Sequence, residues 1–345
     1  MITDDTLREG MQTPGFSFST SEKIELARLI SESGIKRALV SYPPAHRSEF
    51  DVTCSIVDKG YFSETFALGR TLKQDIDLIY ETGANISLHL PFKIDNMESI
   101  LENIKYACSK GRLIEIGFVD IDMFNVSEIV KFCKKMGNAG VDVVQLPDTR
   151  GKLDPGKIWS IIKSVKIETE IKIEAHCHND HGMAVANTVS AIMAGCDYTD
   201  TTIFGTGERN GIADSITVSD YLARNGIEKG INFDRLKVAY NYMYSLILKK
   251  IGSKFFTDNM PLFGNNSEIQ TAGTHVAYGS VFEEKNYSVN VYTGKKMIME
   301  ILNKNGVNCN DRNLDRIVSM VKDESASRGE VLTVNDIIKI AGEIE

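Results

Sequence analysis

The stretch from Ile171 to Ala213 reads IKIEAHCHNDHGMAVANTVSAIMAGCDYTDTTIFGTGERNGIA. It opens with strand alternation: Ile171, Ile173 and Ala175 alternate with Lys172, Glu174 and His176. Side chains two apart on a strand share a face. His176 and His178 therefore aim at one point, while Cys177 faces away. Two converging imidazoles supply half of a divalent metal site. The apolar spacing turns helical from Met183 to Ala194, a second strand runs from Tyr198 to Phe204, and the glycine-broken loop Gly205 to Gly211 follows. Strand, helix, strand, loop, with polar groups gathered at strand C-terminal ends, is how the active face of an α/β barrel is built.

The same unit recurs along the chain. Ile2 to Thr6 is a strand that runs into Leu7-Arg-Glu-Gly-Met-Gln12; Ser19 and Glu22 form a capping box before a helix that Gly34 ends. Further strands are expected at 36–41, 64–68, 85–90, 113–119 and 141–146, and helices at 46–59, 72–82, 97–110, 126–139, 155–165 and 213–224. Eight strand–helix units predict a (β/α)8 barrel over residues 1–225. A doubly wound open sheet is the alternative. Only a closed ring would bring together the polar loops after strands 1, 5, 6, 7 and 8. Residues 226–345 read as a small, mostly helical appendage, with helices over 232–258, 294–305 and 311–323 and a last one starting near Thr333.

Bulk properties narrow the function. The chain has 345 residues, 25% of them charged, and a net charge of -8, which opposes a nucleic-acid role. No apolar run approaches the roughly 20 residues that span a bilayer, and the N-terminus has no signal-peptide pattern. The scattered cysteines Cys54, Cys108, Cys133, Cys177, Cys196 and Cys309 read as reduced thiols of a cytoplasmic protein.

On the first strand's loop, Glu9 offers a hard oxygen ligand. With His176 and His178 it makes a two-histidine, one-carboxylate set with open positions, suited to zinc, manganese or magnesium. A 2-oxo acid could chelate such a cation through its ketone and carboxylate, and Arg8 could stabilise charge developing on the ketone oxygen. In isolation, Arg8-Glu9 would read as an exposed ion pair of little consequence. Thr149, after the sixth strand, leaves a hydroxyl at a loop start, either for a substrate carboxylate or as an ordinary turn residue.

Four motifs together resemble one family: Asp5-Thr-Leu-Arg-Glu-Gly-Met-Gln12, Pro147-Asp-Thr149, His176-Cys-His178-Asn-Asp180 and Gly207-Glu-Arg-Asn-Gly211. They are similar to those of the DRE-TIM metallolyases, in the Claisen-condensing branch of homocitrate, isopropylmalate and citramalate synthases. The Glu after Arg8 and the Gly-Glu-Arg-Asn-Gly loop look most like homocitrate synthases. Ala272-Gly-Thr-His275 resembles a motif of the family's appended subdomain. The resemblance implies a divalent metal held by Glu9, His176 and His178, with acetyl-CoA and a 2-oxo acid as substrates. It further implies Arg8 and His275 as catalytic residues, with His275 reaching a neighbouring protomer's site in a homodimer. Gln12, Asn125, Thr149 and Glu208 are the candidate substrate-binding residues.

The sequence also departs from that pattern. After strand 5 the family's Glu falls on Ile121 and the homocitrate synthases' Arg on Asn125, within Phe118-Val-Asp-Ile-Asp-Met-Phe-Asn125. Asp120 or Asp122 is then the expected replacement carboxylate. An amide cannot form the bidentate pair that an Arg forms with a carboxylate, so an oxo acid other than 2-oxoglutarate is expected. A lyase or aldolase on the same barrel, and a barrel that has lost catalysis but kept its metal, are the competing readings.

Overall fold

The computed structural model describes residues 1–91, 97–259, 266, 269–271, 286–307 and 309–344. The expected alternation is present throughout. Strands β1 (Ile2–Asp4), β2 (Arg37–Ser41), β3 (Glu64–Arg70), β4 (Asn85–His89), β5 (Ile114–Gly117), β6 (Val143–Asp148), β7 (Lys172–Cys177) and β8 (Tyr198–Thr201) form a closed parallel barrel in sequence order. Closure is by β1 against β8, with Thr3 opposite Asp200 and Asp4 opposite Thr201. The outer ring is α1 (Thr20–Glu32), α2 (Arg47–Lys59), α3 (Lys73–Glu81), α4 (Met97–Cys108), α5 (Val126–Asn138), α6 (Pro155–Glu168), α7 (Ala184–Ala194) and α8 (Ser215–Arg224).

Strand parity decides which residues meet the core and which meet the site. On β7, Ile173, Ala175 and Cys177 join the apolar layer between strands and helices. The alternate residues Glu174 and His176 carry polar groups buried on the other face. Arg37 on β2 shows the chemistry of that interior. Its guanidinium bonds Glu64 at 2.8 Å, Glu115 at 2.5 Å and Glu174 at 2.7 Å, and lies 4.0 Å from the Phe66 ring and 4.3 Å from that of Tyr198. A buried cation with three carboxylates and two aromatic faces is paired on every side, which such a group needs.

Two expected strands end early. β1 stops at Asp4, where the Asp4 carboxylate accepts from the Thr6 amide at 3.0 Å, and the chain turns into a 3-10 segment, Glu9–Gln12. β8 stops at Thr201, because the chain winds into a short turn, Ile203–Gly205, with Phe204 at φ 58°. The Ser19–Glu22 capping box on α1 is formed in both directions.

Beyond the barrel lie α9 (Phe233–Lys250), α10 (Phe255–Asp258), the strand pair β9 (Ile269–Gln270) and β10 (Asn286–Tyr287), and α11 (Lys295–Lys304), α12 (Asp311–Arg328) and α13 (Val334–Gly342). The helix expected over 232–258 is broken between α9 and α10, around Gly252. The region divides by packing. Leu236, Ala239, Met243 and Ile247 of α9 join the apolar cluster that contains Leu26 and Ile30 of α1, whereas α11 to α13 enclose a small core of their own around Ile298, Ile301, Ile317, Val321 and Ile337. No helix among the described residues is long and apolar enough to cross a membrane. The six cysteines are free.

Candidate active site

The C-terminal mouth of the barrel gathers most of the candidates. Glu9, His176 and His178 each offer a ligand atom, all within 4.8 Å of one another, and all three residues are buried. They line a cavity of about 60 Å³ together with Arg8, Gln145 and Thr149. Glu9 is held from two sides: Oε2 accepts from Arg8 Nη1 at 2.5 Å and Oε1 from the Glu208 amide at 2.8 Å. Arg8 is in turn fixed by Asp5, with Nε donating at 3.1 Å and Nη2 making a second bond. Arg8 is 4% exposed and Glu9 1%, so the pair is interior structure and not a solvated surface ion pair.

The histidines are arranged as ligands. Asp200 Oδ2 lies 2.8 Å from His176 Nδ1 and accepts from Gln145 Nε2 at 2.7 Å. A carboxylate on one ring nitrogen fixes the proton there and leaves the other nitrogen as a lone pair. That other nitrogen, Nε2, faces His178 Nε2 at 3.4 Å. Burial, the largest cause, holds the His176 imidazole down to about 3 against the pull of Glu9. The ring is therefore neutral, as a metal ligand must be. Two converging imidazoles beside a buried carboxylate, with a second carboxylate orienting one ring, fit a divalent cation.

The loop after β8 supports this set through backbone. A Cβ at Gly207 would stand 2.7 Å from Glu9 Oε1, so only glycine lets the loop pass there. Glu208 is fully buried and lines neither this cavity nor a larger neighbouring one. Its Oε2 accepts from Gln12 Nε2 at 3.2 Å and its Oε1 from the Thr271 amide at 3.0 Å. It thus links the first motif to the chain entering the 272–285 segment. Gln12 also accepts from Arg8 at 3.3 Å. Thr149 Oγ1 accepts from the Asp120 amide at 2.9 Å at the cavity wall.

Asn125 is placed elsewhere. Its side chain caps α5, accepting from the Glu128 amide at 3.0 Å, and it is exposed, away from Arg8 and the histidines. The helix-capping preference of Asn accounts for the residue there. Of the two possible replacement carboxylates, Asp122 is paired with Arg150, and Asp120 sits at the end of β5 with φ 58°. A left-handed non-glycine residue at a barrel mouth is a strained position of the kind found at functional sites. His275 lies outside the described residues.

Three residues escaped the sequence reading. Asp200 and Gln145 sit inside β8 and β6, where acids and amides on strands look merely polar until the closed barrel points them inward. His89 could have been found, because it ends β4 and His176 lies one residue from the end of β7. It lines the same cavity, and its ring lies so close to Gly117 that a Cβ there would meet Cδ2 at 2.5 Å.

A closed eight-stranded barrel with a buried His/His/Glu set at its mouth is a TIM barrel whose mouth could hold a divalent cation. The chain belongs to the HMGL-like family, whose model matches residues 1–242. Among curated relatives, a "Probable 2-isopropylmalate synthase" of Archaeoglobus fulgidus is 30% identical, covering 99% of this chain and 72% of that protein. The "2-isopropylmalate synthase" of Sulfurisphaera tokodaii is 29% identical over 99% of this chain and 94% of its own length. Among solved structures, the HMG-CoA lyase of Brucella melitensis superposes with a TM-score of 0.60 at 19% identity, covering 71% of this chain and 97% of that one. The latter similarity is one of fold.

Proposed function

We propose that the protein is an acyltransferase that condenses acetyl-CoA with a 2-oxo acid in a Claisen-type reaction. The observation that carries this reading is the buried Glu9–His176–His178 set with Arg8 hydrogen-bonded into it at 2.5 Å. The relatives named as 2-isopropylmalate synthases support the condensing direction, since they match 99% of the chain, the C-terminal helices included. The homocitrate-like wording of the first and last motifs is a finer reading within the same reaction.

Glu9, His176 and His178 would hold a divalent cation, which when bound supplies Lewis acidity to the ketone of a chelating 2-oxo acid. The protein's own groups do the rest. Asp200 keeps the His176 ring oriented and its proton on Nδ1. Arg8 faces the oxygen that gains charge as the methyl carbon of acetyl-CoA attacks the ketone carbon. A base takes the methyl proton, the new carbon–carbon bond forms, and the ketone oxygen receives a proton. Water then cleaves the thioester, leaving a carboxylate and the free CoA thiol. His275 is the proposed acid–base residue, acting across a homodimer, with Asp120 or Asp122 as the carboxylate in place of the Glu that falls on Ile121. An imidazole suits that role because its pKa lies near neutrality.

The test is a panel of 2-oxo acids with acetyl-CoA and added zinc, manganese or magnesium, read by thiol release and product mass. Stoichiometric thiol and a 2-hydroxy diacid or triacid are expected with at least one oxo acid, 2-oxoglutarate not being the best. Absence of release across the panel would overturn the reading and leave bond cleavage or lost catalysis. Saturation by 2-oxoglutarate below pyruvate, oxaloacetate and branched oxo acids would overturn the substrate expectation alone.

A further inference from the structure

A second cavity, of about 490 Å³, lies beside the donor cavity and shares Arg8 and His89 with it. It is walled by Tyr42, Leu68 and Tyr292 on the apolar side. Tyr292 is anchored by its hydroxyl to Glu49 at 2.7 Å and meets the Tyr42 ring edge-on at 5.9 Å. The remaining wall is cationic. Arg70 comes from the end of β3, Lys295 and Lys296 from the start of α11, and Lys322 from α12.

The pairing of these cations is uneven. Lys295 faces Asp311 and Asp315, and Arg70 grips Asp75 through Nε and Nη2, leaving Nη1. Lys322 has no carboxylate partner among the described residues. Its ammonium donates to the Ala45 carbonyl at 2.7 Å, and the charged group acting on it is another cation, Arg70. Burial first, then Arg70, lowers it to about 8. Arg70 is met by Asp75, whereas Lys322, facing the same cavity, has no acid of its own among the described residues, so this wall is short of one anion. The size is that of a small-molecule pocket, which commonly spans roughly 300–1,000 Å³.

We propose that this cavity is an anion subsite of the condensation, in which Lys322, beside Arg70, binds a negatively charged group of a substrate whose reacting end lies at Arg8. The proposal rests on the condensing function argued above. The shared chemistry is an oxyanion, from the phosphates of the CoA ester or from a second carboxylate of the oxo acid. Either way, α12 contributes a specificity residue to the barrel mouth, which explains why a helix of the C-terminal core is tied to the β2 loop through Lys322 and through the His46–Asp323 pair at 2.7 Å.

The experiment compares wild type with Lys322→Met, Lys322→Arg and Lys296→Met, the last at the exposed end of the same cavity and free of the Ala45 contact. Removing a charged hydrogen bond should raise one KM by about 10- to 100-fold in Lys322→Met and leave kcat nearly unchanged, with most of the loss restored in Lys322→Arg. Lys296→Met should move the same KM in the same direction by less. A rise in KM for acetyl-CoA but not for a truncated acetyl thioester lacking the nucleotide identifies the phosphates. A rise confined to dicarboxylic oxo acids identifies the carboxylate. Unchanged KM values, or a joint fall in kcat and thermal stability that Lys322→Arg does not rescue, would overturn the subsite and leave Lys322 a strut. Calorimetric titration of CoA and of glutarate needs no turnover. Weaker binding of either to Lys322→Met supports the subsite even if condensation fails, and equal binding of both refutes it.

Discussion

Replacing Asp200 by Ala should loosen the metal site without touching a ligand. Asp200 Oδ2 is the partner of His176 Nδ1 at 2.8 Å and of Gln145 at 2.7 Å, and His176 is 4% exposed, so water has little access to replace the carboxylate. Two losses follow. The ring N–H becomes a buried donor without an acceptor, a cost of about 1–3 kcal/mol. The proton is also free to move to Nε2, the nitrogen that must offer its lone pair beside His178. A carboxylate in this orienting position is typically worth about 10- to 100-fold in metal affinity, or roughly 1.4–2.7 kcal/mol, the same size as the first term. The assay is chelator competition on purified apo-protein, with thermal unfolding of the apo form as the control for folding. Asp200→Asn keeps an acceptor for Nδ1 and should lose much less than Asp200→Ala. Equal metal affinity in wild type and a folded Asp200→Ala protein would refute the orienting role, and with it the tautomer argument.

Gly207→Ala should displace Glu9, because the new methyl would stand 2.7 Å from its carboxylate; metal affinity measured the same way should fall by at least about tenfold, and an unchanged value would mean that the loop yields instead. His176→Ala and His178→Ala should each abolish stoichiometric metal, read by elemental analysis. Asp4, buried on β1, has its carboxyl raised by burial from 3.8 to about 7, against the hydrogen bonds from Thr6. A raised carboxyl favours the folded state below its unfolded value and loses that advantage as pH climbs to the folded value, so stability should decline between about pH 4 and 7 by up to roughly 4 kcal/mol. Asp4→Asn should flatten that decline in denaturant titrations across the same window; an identical slope would show that Asp4 stays ionised. Mixing inactive His275→Ala and Arg8→Ala proteins under chain exchange should return up to about a quarter of wild-type activity if the histidine acts across a homodimer, since roughly half the dimers are mixed and each has one working site. A monomer at assay concentration, or no recovery despite proven exchange, would end that idea.

The barrel could be read from the sequence because its signals are local. Alternation over Ile171 to His176, helical spacing from Met183 and a capping box at Ser19 each depend on neighbours a few residues apart. The His176–His178 pair was readable for the same reason, and closure of the ring is what sets Glu9 beside it. What stayed hidden depends on closure itself. Thr3 pairs with both Arg37 and Asp200, strands that are far apart in sequence, so nothing local announces that Arg37, Glu174 and Asp200 share one interior. Asn125 shows the opposite case: its place in a motif suggested a substrate contact, and in the structure its side chain caps α5.

The same contrast bears on substrate choice. Glu9, His176, His178, Arg8 and Asp200 all come from strand ends and the loops just beyond them, and in the proposed reaction they would recognise what every 2-oxo acid has, a ketone beside a carboxylate. Groups able to tell one substrate from another must lie farther out. The cations found there, Arg70 on β3 and Lys322 on α12, come from opposite parts of the chain, and only packing of the α11–α13 core over the β2 loop brings them to one cavity. A missing arginine near Asn125 is therefore weak ground for denying a second anionic group to the substrate, because a different pair of elements supplies positive charge beside the same Arg8. The KM comparison at Lys322 decides between these two lines of reasoning. A carboxylate-specific effect would reverse the expectation drawn from Asn125, and a phosphate-specific one would leave it standing.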